Sequence, residues 1–292
     1  MPVNPPYNSN LRPIQLYLAE SIKFYKSSSL KKGDVRKSFF ARLIGIIVNL
    51  YMQCLLYEYL DTTNKGIFQN VDVSSQHPMI KELLRISCHS NDPKNDEMIG
   101  YLKSFQRQLI IDSWSLFESS ITYILDSILS EEEKNKLRKS SGEKKILGIL
   151  KKYEIDELDL HSLLETMRPK SFYRITSPAK YAKLYSLHKK KYMRDWSKDV
   201  KFLNVFGDLR NSMHSNFTYF GKENYVYSFG MGKIEFNNSG KVKFSGYEKD
   251  TQGFLDLVKE LCEIYKALIN GISIDFIEDK ENEIGLHRNP MP

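Results

Sequence analysis

The sequence predicts a mainly α fold: a helical bundle with a small antiparallel β-meander inserted before the last helix. Three observations predict it. Apolar residues recur at spacings of three and four along most of the chain, which places them on one face of successive helices. Between about residues 222 and 248 the period falls to two, and the short runs are separated by glycine- and asparagine-rich turns. The 292 residues are 41% hydrophobic and 12% aromatic, enough to fill a core without cross-links.

The opening MPVNPPYNSN is polar and proline-rich, and no basic start leads into an apolar run, so no secretory signal is expected. Val35 to Leu60 is apolar around most of its circumference, as in a central helix. Its densest part, LIGIIVNLYMQCLL at 43–56, spans 14 residues and carries Asn49 and Gln53. A membrane span takes about 18–20 predominantly apolar residues, so a buried core helix and no membrane association are expected. Asp61 to His77 reads as a loop, and Pro78 opens a short helix through Ile86.

SNDPKND at 90–96 breaks the chain into an N-terminal helical layer, 1–92, and a helical domain, 93–277, followed by a polar tail, 278–292, that frays from Asp279. Ile99, Leu102, Leu109, Trp114, Phe117, Ile121, Ile124 and Ile128 form the stripe of one long amphipathic helix. Ser130 ahead of Glu131 to Glu133 reads as an N-cap with an acidic first turn. Helical pieces are expected at 143–152, 156–167 and 177–194. In DWSKDVKFLNVFGDLRNSMH, the stripe of Trp196, Val200, Leu203, Phe206, Leu209 and Met213 buries one side of the next helix. NYVYSF, KIEF and KVKFS alternate as strands, turning at Gly230 to Gly232 and at 237–240. A last helix runs from Thr251 to Asn270 and stops at Gly271.

Cys54, Cys88 and Cys262 are odd in number and far apart, which argues against a disulfide framework and for a reducing, cytoplasmic setting. The net charge of +7 is uneven. Residues 134–201 hold 19 Lys/Arg against 8 Asp/Glu, a local +11 that leaves the remainder near −4. Such asymmetry suits a polyanion such as RNA, although a lysine-rich solvated helix face has the same composition. No cluster of histidines, cysteines or carboxylates has metal-ligand spacing, no phosphate loop is present, and neither a metal nor a cofactor is expected. His77, His89, His161, His188 and His287 stand apart from one another at surface or core-rim positions.

GDLRNSMHSNFTYFG, at 207–221, carries the sharpest chemical pattern. Arg210 and His214 are four residues apart on a helix and share a face beside the apolar stripe, where a second subunit can cover them. Helix-end chemistry accounts for each residue separately, since Arg and His suit a helix C-terminus and Asn and Ser are frequent where helices stop. Together, Arg210, Asn211 and His214 resemble the signature of the HEPN superfamily, helical-bundle proteins with an arginine, a following polar residue and a histidine a few positions on. The family's usual pattern places four to six residues between arginine and histidine, and this chain has three.

The resemblance implies a metal-independent endoribonuclease that works as a homodimer in phage defence or a toxin–antitoxin pair, with an antitoxin or other defence partner. His214 then acts as general acid/base, Arg210 stabilises the transition state, and Asn211 orients the phosphate or the histidine. The residue types suit that chemistry. Imidazole titrates near neutral pH, and a guanidinium contacts two phosphate oxygens at once. The short spacing also fits a non-catalytic relative acting as sensor, scaffold or nucleotide-binding module.

Overall fold

The computed structural model of the chain describes residues 11–63, 96–138, 175–230, 232–245 and 251–279, with the isolated helical positions 162 and 166. The fold is mainly α, with short antiparallel strands set before the last helix. The described helices are α1 (Leu11–Ser27), α2 (Val35–Thr63), α3 (Asp96–Ile128), α4 (Glu131–Arg138), α5 (Ser177–His188), α6 (Trp196–His214) and α7 (Thr251–Ile269). The strands are β1 (Thr218–Tyr219), β2 (Tyr225–Phe229), β3 (Gly232–Phe236), β4 (Gly240–Lys241) and β5 (Lys243–Ser245). The expected break near residue 92, the short helix from Pro78 and the pieces at 143–152 and, apart from positions 162 and 166, 156–167 lie outside the described residues.

Contacts divide the chain into two units of interleaved segments. One unit comprises residues 1–28, 40–115 and 205–261, and the other 29–39, 116–204 and 262–292. Helices α2, α3, α6 and α7 contribute residues to both.

In the first unit, α2 buries Phe40, Leu43, Ile47, Leu50 and Cys54, a stripe at steps of three and four. Val48, Met52 and Leu55 on its other side are exposed. The apolar run is longer than the 14 residues expected. The 21 residues Val35–Leu55 are long and apolar enough, by length and composition, to cross a membrane, a test that the core helix of a globular protein also passes. The 14-residue figure counts only the densest part, 43–56, of a helix already expected to begin at Val35. Helix α1 has no counterpart in the sequence expectations. It buries Ile14 and Tyr17, and its Phe24 ring lies 4.6 Å from that of Phe40. On α3, Trp114 stacks on Phe206 with ring centroids 5.5 Å apart.

All the described strands belong to this unit. β2, β3 and β5 form an antiparallel sheet in that spatial order, in which Tyr225 faces Phe236 and Ile234 faces Phe244. Gly230 turns β2 into β3 at a φ of +56°, a conformation that glycine adopts without strain. β1 and β4 form a second, two-stranded pairing that the period-two pattern did not reveal, because each strand is two residues long.

In the second unit, Ser130 caps α4. Its Oγ accepts from the Glu133 N–H at 3.3 Å, while the Glu133 carboxylate accepts from the Ser130 N–H at 3.2 Å, the reciprocal pair of a capping box. Asp34 caps α2 and pairs with Arg36 at 2.6 Å, with both side chains under 5% exposed. The guanidinium also donates to the Ile274 carbonyl at 2.8 Å, and the Ile277 carbonyl accepts from the Val35 N–H at 2.8 Å. Asp279 therefore does not begin a frayed tail. It is 3% exposed, and its N–H donates to the Gly33 carbonyl.

Helix α5 ends at His188, six residues short of the expected Arg194. Lys189–Lys191 tighten into a single 3₁₀ turn and Tyr192 becomes extended.

Candidate functional site

Helix α6 carries the Arg210, Asn211 and His214 pattern at its C-terminal end. The local sequence orients it firmly. Leu209 and Met213 are fully buried and Phe206 nearly so, so the flanking polar residues fall at fixed positions around the axis. Gly207 lets α3 approach. A Cβ at that position would stand 3.3 Å from the Trp114 ring, closer than most side chains tolerate.

Arg210 is half-buried, whereas Asn211 and His214 are exposed. The Arg210 Nη1 donates to Asn211 Oδ1 at 3.1 Å, while its buried Nε has no hydrogen-bond partner among the described residues. A buried guanidinium N–H left without an acceptor costs stability, which makes Arg210 an uncommon residue at a helix end. Asn211, expected to orient the phosphate or the histidine, instead accepts from Arg210, and His214 lies one turn beyond Arg210 on the exposed side.

A cavity of about 190 Å³ opens beside this edge, lined by Asp208, Asn211, Ser212, Ser215, Thr218, Tyr219, Phe220 and Gly221. Asp208, Asn211, Ser212 and Ser215 are spaced i, i+3, i+4 and i+7 and so form one helix face. Arg210 and His214 do not line it. Successive helix residues are rotated by about 100°, which turns Arg210 away from the cavity while Asn211 reaches both.

The backbone that closes the cavity is strained. After the helix, Asn216 and Phe217 both adopt left-handed conformations, with φ of +54° and +60°. Asparagine tolerates this region, but a phenylalanine there is an outlier. Neighbours hold Phe217 in place. Its carbonyl accepts from the Val242 N–H at 2.8 Å, its ring meets Phe244 edge-on at 6.4 Å, and the Arg107 guanidinium lies 5.9 Å from the ring centroid. Lys241 donates to the Asn216 carbonyl at 2.5 Å. Strain of this kind persists only where surrounding contacts over-determine it, and it concentrates at functional sites.

Asp208 is the cavity's charged group. Tyr225 donates its hydroxyl to the carboxylate at 2.9 Å, and Tyr219 donates as well. Burial nevertheless holds the Asp208 carboxyl above the usual carboxylate range, outweighing the two hydrogen bonds that lower it. Burial likewise raises the Tyr225 and Tyr219 hydroxyls, and the neighbouring carboxylate raises them further. Tyr219 folds back over Gly221, where an added Cβ would lie 1.8 Å from its hydroxyl oxygen. A side chain there would displace the Tyr219 ring.

Sequence reasoning missed Asp208, Tyr219 and Tyr225. Asp208 stands three residues before Asn211, a spacing that could have flagged it. The tyrosines are brought in by β1 and β2, and no local pattern links them to the helix. Asp112 accepts from Gln108 at 2.6 Å and is raised by burial, while Glu118 accepts from Ser177 at 2.5 Å and lies 3.9 Å from Lys180.

Within the basic segment, ion pairs engage many of the cations. Lys134 pairs with Asp126 at 2.9 Å, Lys183 with Glu133 at 3.0 Å and Arg194 with Asp199 at 2.8 Å. Lys180 is buried, and burial lowers its ammonium despite Glu118. Lys189 to Lys191 remain at the surface, with Lys191 donating to the Gly271 carbonyl. Among the described residues, no group of three histidines, cysteines or carboxylates is placed to hold a metal ion. No family model, no curated protein and no solved structure matches the chain.

Proposed function

We propose that the C-terminal end of α6 is an endoribonuclease site of HEPN type. His214 serves as general acid/base, Arg210 stabilises charge on the phosphate, and Asn211 holds the guanidinium. The observation that carries this reading is the Arg210 side chain: half-buried, held by Asn211 Oδ1 and left with one N–H unpartnered, one helical turn from an exposed histidine. Attack of a ribose 2′-hydroxyl on its own phosphate needs a proton acceptor, a proton donor and a cation at the phosphorane-like transition state, and these residues supply all three. Two copies facing one another would double the set and exclude water. The surface lysines at 189–191 would add non-specific affinity for the RNA backbone. A cytoplasmic toxin or phage-defence effector, restrained by a partner, is the setting this chemistry suits.

The test is incubation of the purified protein with RNA in EDTA, followed by analysis of the product ends. The reading predicts 2′,3′-cyclic phosphate and 5′-hydroxyl ends, both lost in Arg210→Ala. Different ends, or undiminished cleavage by that variant, would contradict it. One observation favours a second reading, a non-catalytic nucleotide-binding module: Arg210 and His214 lie outside the cavity lining. Selective nucleotide binding without cleavage would support that alternative.

A further inference from the structure

We propose that the cavity formed by α6, β1 and Gly221 is a nucleobase pocket selective for guanine, with the Asp208 carboxylate reading the base edge and Phe220 stacking on its face. The proposal rests on the reading that RNA is drawn to this end of α6. It adds which base is held and by which residues.

Size comes first. At about 190 Å³ the cavity is smaller than the ~300–1,000 Å³ of pockets that take drug-sized ligands, so it suits a single ring system. Phe220 lies on its lining yet is 71% exposed, a large apolar ring held at an opening. Single-stranded RNA is read by splaying bases out and stacking them on such aromatic rings.

The polar groups specify the base. An ionised carboxylate only accepts hydrogen bonds, through two oxygens. Guanine alone presents two adjacent donors on its pairing edge, N1–H and the 2-amino group, and a carboxylate receives both side by side. Adenine and cytosine offer one amino donor next to a ring acceptor, and uracil flanks its single donor with two carbonyls, so each sets a lone pair against the carboxylate. Tyr219 and Tyr225 fix Asp208 from the protein side, which aims its remaining lone pairs instead of letting them rotate. Ser212 is 2% exposed, and its hydroxyl proton is engaged by the Leu209 carbonyl at 2.7 Å, so it presents only an acceptor to the cavity. Asn211 lines the pocket and also accepts from Arg210, so it links the seated base to the guanidinium on the neighbouring face.

The test is calorimetric binding of the 3′-monophosphates of guanosine, adenosine, cytidine and uridine to the full chain. Guanosine 3′-monophosphate is expected to bind about tenfold more tightly than the others, the discrimination of one good bidentate pair. Asp208→Asn, which keeps an acceptor for Tyr225, should abolish that preference. Phe220→Ala removes an exposed ring and should weaken all four ligands by about fivefold or more through lost stacking, with melting temperature as the folding control. Equal binding of the four, no binding at millimolar concentration, or a guanine preference that survives in Asp208→Asn would overturn the proposal. Failure of the cleavage reading looks different: selective guanine binding by a protein that leaves RNA intact. RNA cleavage by a protein that binds the four ligands equally would sink the pocket and leave the cleavage reading standing.

Discussion

The two ends of α6 hold aspartates nine residues apart and treat them in opposite ways. At the N-terminal end Asp199, 3% exposed, receives a bidentate ion pair from Arg194 at 2.8 and 2.9 Å and a hydrogen bond from the Tyr192 hydroxyl. Around it, Tyr185 stacks on Trp196 at 4.1 Å and Tyr192 meets Trp196 edge-on. At the C-terminal end Asp208 lies on an open cavity with its carboxyl raised, Arg210 keeps an unpartnered Nε, and two residues beyond the helix are left-handed. The first end is saturated, and its polar groups serve the fold. The second carries unspent hydrogen-bonding capacity and strain, the pattern of a site kept for something outside the chain.

The largest expected effect concerns what the two ends share, a helix anchored by packing. Trp114→Ala removes the ring against Phe206 and Gly207 and should cost about 3–5 kcal/mol in urea unfolding, with loss of any activity at 210–214. Next, the same substitution at both ends separates them. Asp199→Asn breaks a well-formed ion pair and should cost about 2–3 kcal/mol.

Asp208→Asn should behave differently. A folded carboxyl raised above its ordinary 3.8 takes up a proton more readily than the unfolded one, so ionising it costs stability as pH rises from 3.8 through the raised value. Below 3.8 both states are protonated and the effect disappears. The melting temperature of Asp208→Asn relative to wild type should therefore climb as pH increases across that window and hold at neutral pH. A flat difference, or a loss like that at Asp199, would erase the contrast between the ends. The smallest effect is expected for His214→Ala, which should change stability by no more than about 0.5 kcal/mol because the side chain is exposed.

The long periodic elements were legible in the sequence because burial imposes them locally. Trp114, Phe117 and Ile121 announce α3, Leu203, Phe206 and Leu209 announce α6, and the Ser130–Glu133 box marks the start of α4 within four residues. Helix α1 was missed because its buried positions, Ile14 and Tyr17, are few and lie between Arg12, Gln15 and Glu20. The motif residues were legible as residue types. The cavity was not, because it depends on two left-handed residues and on tyrosines delivered by β1 and β2, whose approach to α6 no local pattern encodes. Strain at a phenylalanine has no sequence signature. It is set by the partners of Phe217 on β5 and α3.

The most direct test of the contrast between the two ends is the single-turnover rate of cleavage of single-stranded RNA in EDTA, wild type beside His214→Ala at matched melting temperature. A fall of about 100-fold or more in the variant is predicted, the usual contribution of a positioned general acid or base. Equal rates, or no cleavage by either protein at any concentration, would contradict it.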